Sequence, residues 1–96
     1  MTSQYESEMG ASHQDFFRLL PIALKNLDYE VTKDNQINIS YAKGKIEILP
    51  GKEQKRKIAS LELPFMFVIF NFINISAAKK STFLANFMRT YQRGGG

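Results

Sequence analysis

The sequence contains no cysteine and a single histidine, His13. Without cysteine there can be no disulfide, thiolate metal ligand or cysteine nucleophile, and one histidine supplies too few ligands for the usual zinc spacings. The longest apolar run, residues 63–70, is interrupted by Pro64 and is far shorter than a membrane-spanning helix requires. We therefore expect a protein with no metal, no cofactor and no membrane partner.

Recognisable catalytic arrangements are also missing. Asp28 and Glu30 flank a tyrosine at strand spacing, and Glu47 and Glu62 lie on separate predicted strands. Nothing marks any two of these carboxylates as a paired acid and base. The segments AKGK and LPGK are too short to form a phosphate-binding loop. We predict no catalytic residue, and an enzyme or a ligand pocket lined by Phe and Tyr remains only a third hypothesis.

Basic residues outnumber acidic ones, 13 to 9, in a chain of 96 residues with a formal charge of +4. They cluster along the sequence, which favours a polyanionic partner to a small degree. A nucleic-acid-binding module is accordingly one functional hypothesis. Its candidate phosphate contacts are Lys52, Lys55, Arg56, Lys57, Lys79, Lys80, Arg89 and Arg93.

The N-terminal third predicts a tail followed by a helix. Residues 1–11 have no apolar period and are expected to be disordered. Ser12 followed by Asp15 is typical of a helix start, and apolar residues then recur at helical spacing over residues 13–27. Pro21 is expected to kink or split this helix.

From residue 29 onwards, apolar residues recur at every second position, which is typical of half-buried strands. Turn signals divide the segment into short strands. The fourth is predicted over residues 55–63, with Leu61 in the core, and Pro64 is expected to end it. A fifth strand follows over residues 65–74.

Ser76 is a candidate N-cap for a final helix over residues 77–92. Phe83, Phe87 and Tyr91 form one stripe of this helix, which we interpret as core. Residues 93–96, RGGG, are expected to form a flexible glycine tail.

These elements predict a single α+β domain over residues 12–92, with a four- or five-stranded antiparallel meander and both terminal helices on one sheet face. The predicted core comprises Phe16, Leu20, Leu24, Ile37, Ile39, Ile46, Ile48, Leu61, Val68, Phe70, Phe72, Phe83, Phe87 and Met88.

The fifth strand is apolar on both faces in its first half. Met66, Val68 and Phe70 form one face, while Phe65, Phe67 and Ile69 form the other. Either a neighbouring loop covers the second face, or Phe65, Phe67 and Ile69 are an association surface for another protein or a second copy of this chain. A non-catalytic association module, including a homodimer, is our leading hypothesis.

Two stretches resemble known proteins. The segment SAAKKSTFLANF is similar to the last helix of double-stranded RNA-binding domains, which implies that Lys79 and Lys80 contact phosphates. The segments FFRLLP near the start and YQRGGG at the end resemble short bacterial proteins of unknown function. That second resemblance implies a cytoplasmic bacterial protein and no particular activity.

Overall fold

The computed structural model describes residues 2–94, with side chains described as far as Gln92. The elements in chain order are β1 (Thr2–Met9), α1 (His13–Ala23), β2 (Asp28–Val31), β3 (Ile37–Tyr41), β4 (Gly44–Pro50), β5 (Gln54–Ile58), β6 (Leu61–Ile73) and α2 (Ala77–Gly94).

The strand β6 is the longest strand of an antiparallel sheet and pairs with three others. It pairs with β1 along one side, and with β4 and β5 along the other. β4 and β5 lie end to end, because β4 pairs with residues 68–73 and β5 with residues 61–65. β3 and β2 extend the sheet beyond β4, so that the order across it is β1-β6-β4-β3-β2.

Both helices pack on one face of the sheet, and the predicted α+β class is confirmed. Rings from α2 contact rings from β6: the centroids of Phe87 and Phe70 are 5.4 Å apart, and those of Phe83 and Phe72 are 6.1 Å apart. All predicted core residues are buried except Leu61, which is exposed, and Met88, which is half-buried. Tyr91, which belongs to the stripe of α2 that was interpreted as core, is buried as expected, and Met9 and Met66 complete the core without having been predicted.

The prediction of a disordered tail over residues 1–11 is wrong, because residues 2–9 form β1. This strand pairs with β6 from Thr2↔Ile73 to Met9↔Met66. Only Tyr5 and Met9 contribute large apolar groups: the Tyr5 ring lies 6.0 Å from that of Phe70, and Met9 is buried. An edge strand can be stabilised by its backbone ladder with few apolar side chains, so periodicity alone does not reveal it.

The predicted strand over residues 55–63 is also wrong. The chain turns at residues 59–60, where Ala59 has a left-handed φ of 54°, and Leu61 already belongs to β6. β6 runs through Pro64 instead of stopping there. Within residues 2–94, Pro64 lies beyond the end of β1, where β6 is paired on one side only, so its missing N–H does not have to break a ladder bond.

The helix ends follow the predicted capping chemistry at their N-termini. The Ser12 hydroxyl accepts a hydrogen bond from the Asp15 N–H at 3.1 Å, and that of Ser76 accepts one from the Lys79 N–H at 3.2 Å. α1 continues through Pro21 but ends at Ala23, four residues before the predicted end. α2 extends to Gly94, so residues 93–94 are helical, while Gly95 and Gly96 lie outside the described residues.

Candidate association surface

The hairpin formed by β5 and the start of β6 projects beyond the rest of the sheet. We call residues 54–65 the arm. β6 has 13 residues, whereas β1 has 8 and β4 has 7, and both of these strands pair with its second half. All five residues of β5 are exposed. The arm therefore results from the length mismatch between β6 and its neighbours.

We call the rest of the domain, outside the arm, the body. The start of α1 fixes the base of the arm to the body. The His13 ring donates from Nε2 to the Gly51 carbonyl at 2.6 Å, and the His13 backbone N–H donates to Glu53 Oε1 at 2.7 Å. Gly51 itself donates its N–H to the Phe67 carbonyl at 2.8 Å. His13 is half-buried and connects the loop between β4 and β5 to the start of α1.

The sheet face opposite the helices carries a continuous line of apolar side chains along β6. We call Leu61, Leu63, Phe65, Phe67 and Ile69 the apolar row. Leu61 is 61% exposed, Leu63 45% and Phe67 41%, whereas Phe65 and Ile69 are half-buried. The rings of Phe65 and Phe67 meet edge to face with centroids 6.0 Å apart. The three residues predicted as an association surface thus lie together, and the row extends further into the arm than predicted.

Two further apolar residues flank the row. Ile58, opposite Leu61 across the hairpin, is 51% exposed. Leu49, opposite Ile69 on β4, is half-buried. Both lie on the same side of β6, so the surface is widened at each end of the row.

Arg56 links the arm to the body across this face. Its guanidinium forms an ion pair with Glu8 at 2.8 Å and lies 4.6 Å from the centroid of the Phe65 ring. Both groups are largely exposed, so solvent screens the ion pair. Arg56 nevertheless covers one side of Phe65, which explains why that ring is less exposed than Phe67.

The body side of the helix-free face is acidic. Strand register places five carboxylates and one lysine on it. The arm has the opposite balance, since Lys55, Arg56 and Lys57 outnumber Glu62. The residues of the body face are Glu6, Glu8, Asp28, Glu30, Glu47 and Lys45.

The predicted phosphate contacts do not form one patch. Lys52, Lys55, Arg56 and Lys57 belong to the arm and its base, whereas Lys79 and Lys80 begin α2, next to the other end of β6. At about 3.3 Å per strand residue, the two groups are roughly 30 Å apart. Arg89 is exposed on α2, and the Arg93 side chain lies outside the described residues.

Lys80, one of the pair that resembles an RNA-binding helix, is turned toward the sheet. Its Nζ lies 5.3 Å from the centroid of the Phe72 ring and 3.4 Å from the Ser3 hydroxyl. The side chain is half-buried. In this structure the Lys80 side chain therefore packs on the sheet, whereas the resemblance implies a phosphate contact.

A cleft of about 460 Å³ lies between β1, the start of α1 and the end of α2. Met9, Leu19 and Met88 contribute apolar walls, and Glu8 and Asp15 contribute carboxylates at its rim. Both carboxylates are already paired, Glu8 with Arg56 and Asp15 with Arg18 at 3.3 Å.

Within residues 2–94, no cluster of three or more metal-ligating side chains occurs, and no helix combines the length and apolarity needed to cross a membrane. Burial raises the pKa of Tyr91 above its ordinary value, with a smaller contribution from Tyr29, but this hydroxyl is held by a backbone carbonyl in the core. No protein-family model matches the chain, and no curated protein or solved structure was found to be similar to it.

Proposed function

We propose that this protein is a non-catalytic association module that pairs with a second copy of itself through the helix-free face of its sheet. The observation that carries the proposal is the exposed apolar row on β6, of which Leu61, Leu63 and Phe67 are each more than two-fifths exposed.

The physical argument concerns the second face of an antiparallel sheet. Such a face is normally polar when it is solvated, and contiguous exposed apolar groups are typical of interaction surfaces. Complete burial of one Leu or Phe side chain contributes about 1.5–3 kcal/mol. A standard interface covers roughly 800 Å² per partner, about an eighth of the 6401 Å² that this small chain exposes.

Sedimentation velocity over a range of protein concentrations tests the proposal. The wild type should show a concentration-dependent shift from monomer to dimer, and Phe67→Thr should move the midpoint to at least about tenfold higher concentration, since 1.4 kcal/mol corresponds to a factor of ten. Val31→Thr is the matched control, because Val31 is a strand residue that is 44% exposed on the helix side of the sheet. A wild type that remains monomeric at every concentration would overturn the proposal.

Nucleic-acid binding by the arm is a second candidate function. The observation that favours it is the basic β5 strand, in which Lys55 and Lys57 share the face opposite the apolar row. A two-stranded ribbon is narrow enough to enter a major groove. If this function holds, an NMR titration with duplex DNA or short RNA should shift the arm amides in a salt-dependent way. Lys57→Ala should weaken binding to all sequences alike, whereas Lys33→Ala should not.

A further inference from the structure

We propose that the two copies stack their apolar rows antiparallel, about a two-fold axis that passes Phe65. This inference rests on the proposed self-association and adds its geometry: the arm of each copy lies over the body of the other. The projecting hairpin of each copy then forms part of the dimer interface.

The spacing of the row selects the register. Reversing the row about Phe65 places Leu61 opposite Ile69 of the second copy and Leu63 opposite Phe67 of the second copy. Every position of the row then meets an apolar residue. The interface becomes isologous, since the same patch serves both subunits.

Moving the axis by two residues in either direction along β6 gives a less favourable interface. An axis at Phe67 places Asn71, a polar residue on the same face of β6, opposite Leu63 of the second copy. An axis at Leu63 leaves Ile69 beyond the tip of the opposing hairpin, which turns at residues 59–60. The Asn71 Oδ1 accepts a hydrogen bond from Gln4 Nε2 at 3.0 Å, but Leu63 would cover the amide and offer its N–H groups no acceptor. The register centred on Phe65 avoids this contact and is favoured.

The residues beside the row support the same arrangement. An axis that lies across the strands keeps β4 and β5 of one copy on the same side as those of the other. Ile58, beside Leu61, then lies opposite Leu49 of the second copy, which is beside Ile69. The two apolar flanks are matched, and Gln54, beside Phe65, meets Gln54 of the second copy near the axis.

Charge disfavours parallel stacking. Stacked in parallel, the acidic body faces with their five carboxylates would lie opposite each other. Stacked antiparallel about Phe65, the two body faces lie on opposite sides of the axis and do not overlap. The arm presents only Arg56 on this face, because Lys55, Lys57 and Glu62 lie on its other face. Opposed like charges are destabilising, so the antiparallel arrangement is favoured.

Spin labels on single introduced cysteines test the geometry, and the natural absence of cysteine makes each label unique. One label replaces Gln54, near the axis, and another replaces Lys57, three strand positions from it and on the opposite face of the arm. Stacked sheets are about 10 Å apart, and strands rise about 3.3 Å per residue. The Gln54→Cys labels should therefore be separated by little more than the sheet spacing, and the Lys57→Cys labels by about 20 Å along the strands.

Each outcome decides the matter. A short Gln54 separation together with the longer Lys57 separation supports the antiparallel register. Lys57 labels that are separated only across the two stacked sheets, without the further distance of about 20 Å along the strands, indicate parallel stacking. A long Gln54 separation indicates another contact, such as pairing between the open edges of β1. Either result overturns this inference while self-association stands. Sedimentation of each labelled variant confirms that the measured species is the dimer, and a monomeric wild type would instead overturn the proposed function itself.

Discussion

The hydroxyl of Tyr91 donates a hydrogen bond of 2.8 Å to the backbone carbonyl of Phe16, joining α2 to α1 in the core. The two rings are also stacked, with centroids 5.2 Å apart and an interplanar angle of 19°. This contact fixes the two helices against each other at the end of the molecule that also holds the base of the arm.

Replacing Tyr91 by Phe should destabilise the protein at neutral pH by about 1–3 kcal/mol, because a buried carbonyl loses its donor. Urea unfolding of the wild type and the variant measures this difference. Tyr5→Phe, at a side chain that is 40% exposed, should change the free energy of unfolding by less than about 0.5 kcal/mol.

The same pair of proteins should respond differently to alkaline pH. Burial raises the pKa of Tyr91 in the folded state, whereas the unfolded chain ionises it near pH 10. The contribution of Tyr91 is therefore fully present below about pH 10 and is lost as the pH rises towards the folded pKa. The difference in the free energy of unfolding between wild type and Tyr91→Phe should become smaller at about pH 11. A difference that stays constant with pH would contradict a raised pKa for Tyr91 in the folded state.

Phe87→Ala should cost about 3–5 kcal/mol of folding free energy. Phe87 is fully buried, and its ring centroid lies 5.4 Å from Phe70, 5.6 Å from Phe83 and 5.0 Å from Tyr91. Chemical denaturation measures the effect, with Ile22→Ala on the exposed face of α1 as the control. A nearly neutral Phe87→Ala would mean that α2 does not pack on the sheet.

Lys43→Gly should stabilise the protein. Ala42 and Lys43 form the two-residue turn between β3 and β4 with left-handed φ values of 49° and 66°, a conformation that costs a side-chain-bearing residue roughly 1–2 kcal/mol. Part of this gain is offset by the greater entropy of glycine in the unfolded chain. Lys33→Gly, in a turn residue without left-handed φ, should instead be neutral or destabilising; thermal melting compares the two.

Gly51→Ala should loosen the arm. A Cβ at Gly51 would lie 2.5 Å from the Phe67 carbonyl oxygen, so the loop between β4 and β5 would have to move away from β6. Amide hydrogen exchange should accelerate across residues 54–65 as the base of the arm opens. Gly10→Ala is the matched control, since a Cβ there meets nothing within 4 Å, and equal exchange in the two variants would contradict a role for this close approach.

Much of the core was predictable because its residues follow simple periods. The alternation in β3 and β4 and the stripe of α2 place their buried residues correctly, and both serine caps follow from local hydrogen bonding. β1 escaped prediction because it is an edge strand with few apolar residues. Its identity depends on pairing with β6, more than 50 residues away in the chain, which local patterns do not encode.

The candidate surface was predictable in part. Side chains alternate between the two faces of a strand, and this alternation places Phe65, Phe67 and Ile69 together on the second face of β6, as the sequence indicates. Leu61 and Leu63 were assigned to a separate strand because Pro64 suggested a break and the turn at Ala59 lacks the glycine or asparagine that usually marks one. The arm itself depends on how far neighbouring strands extend, and sequence patterns do not determine that.

The pairing of β6 with strands made much earlier has a consequence for folding during translation. β1 is translated before the other strands, yet its partners, residues 66–73, emerge only after every other strand has been made. At about 5–20 residues per second, the N-terminal strand waits several seconds for its place in the sheet. Until β6 emerges, β1 and one edge of β4 have no strand to pair with. We therefore expect newly made chains to depend on chaperones more than their length would suggest.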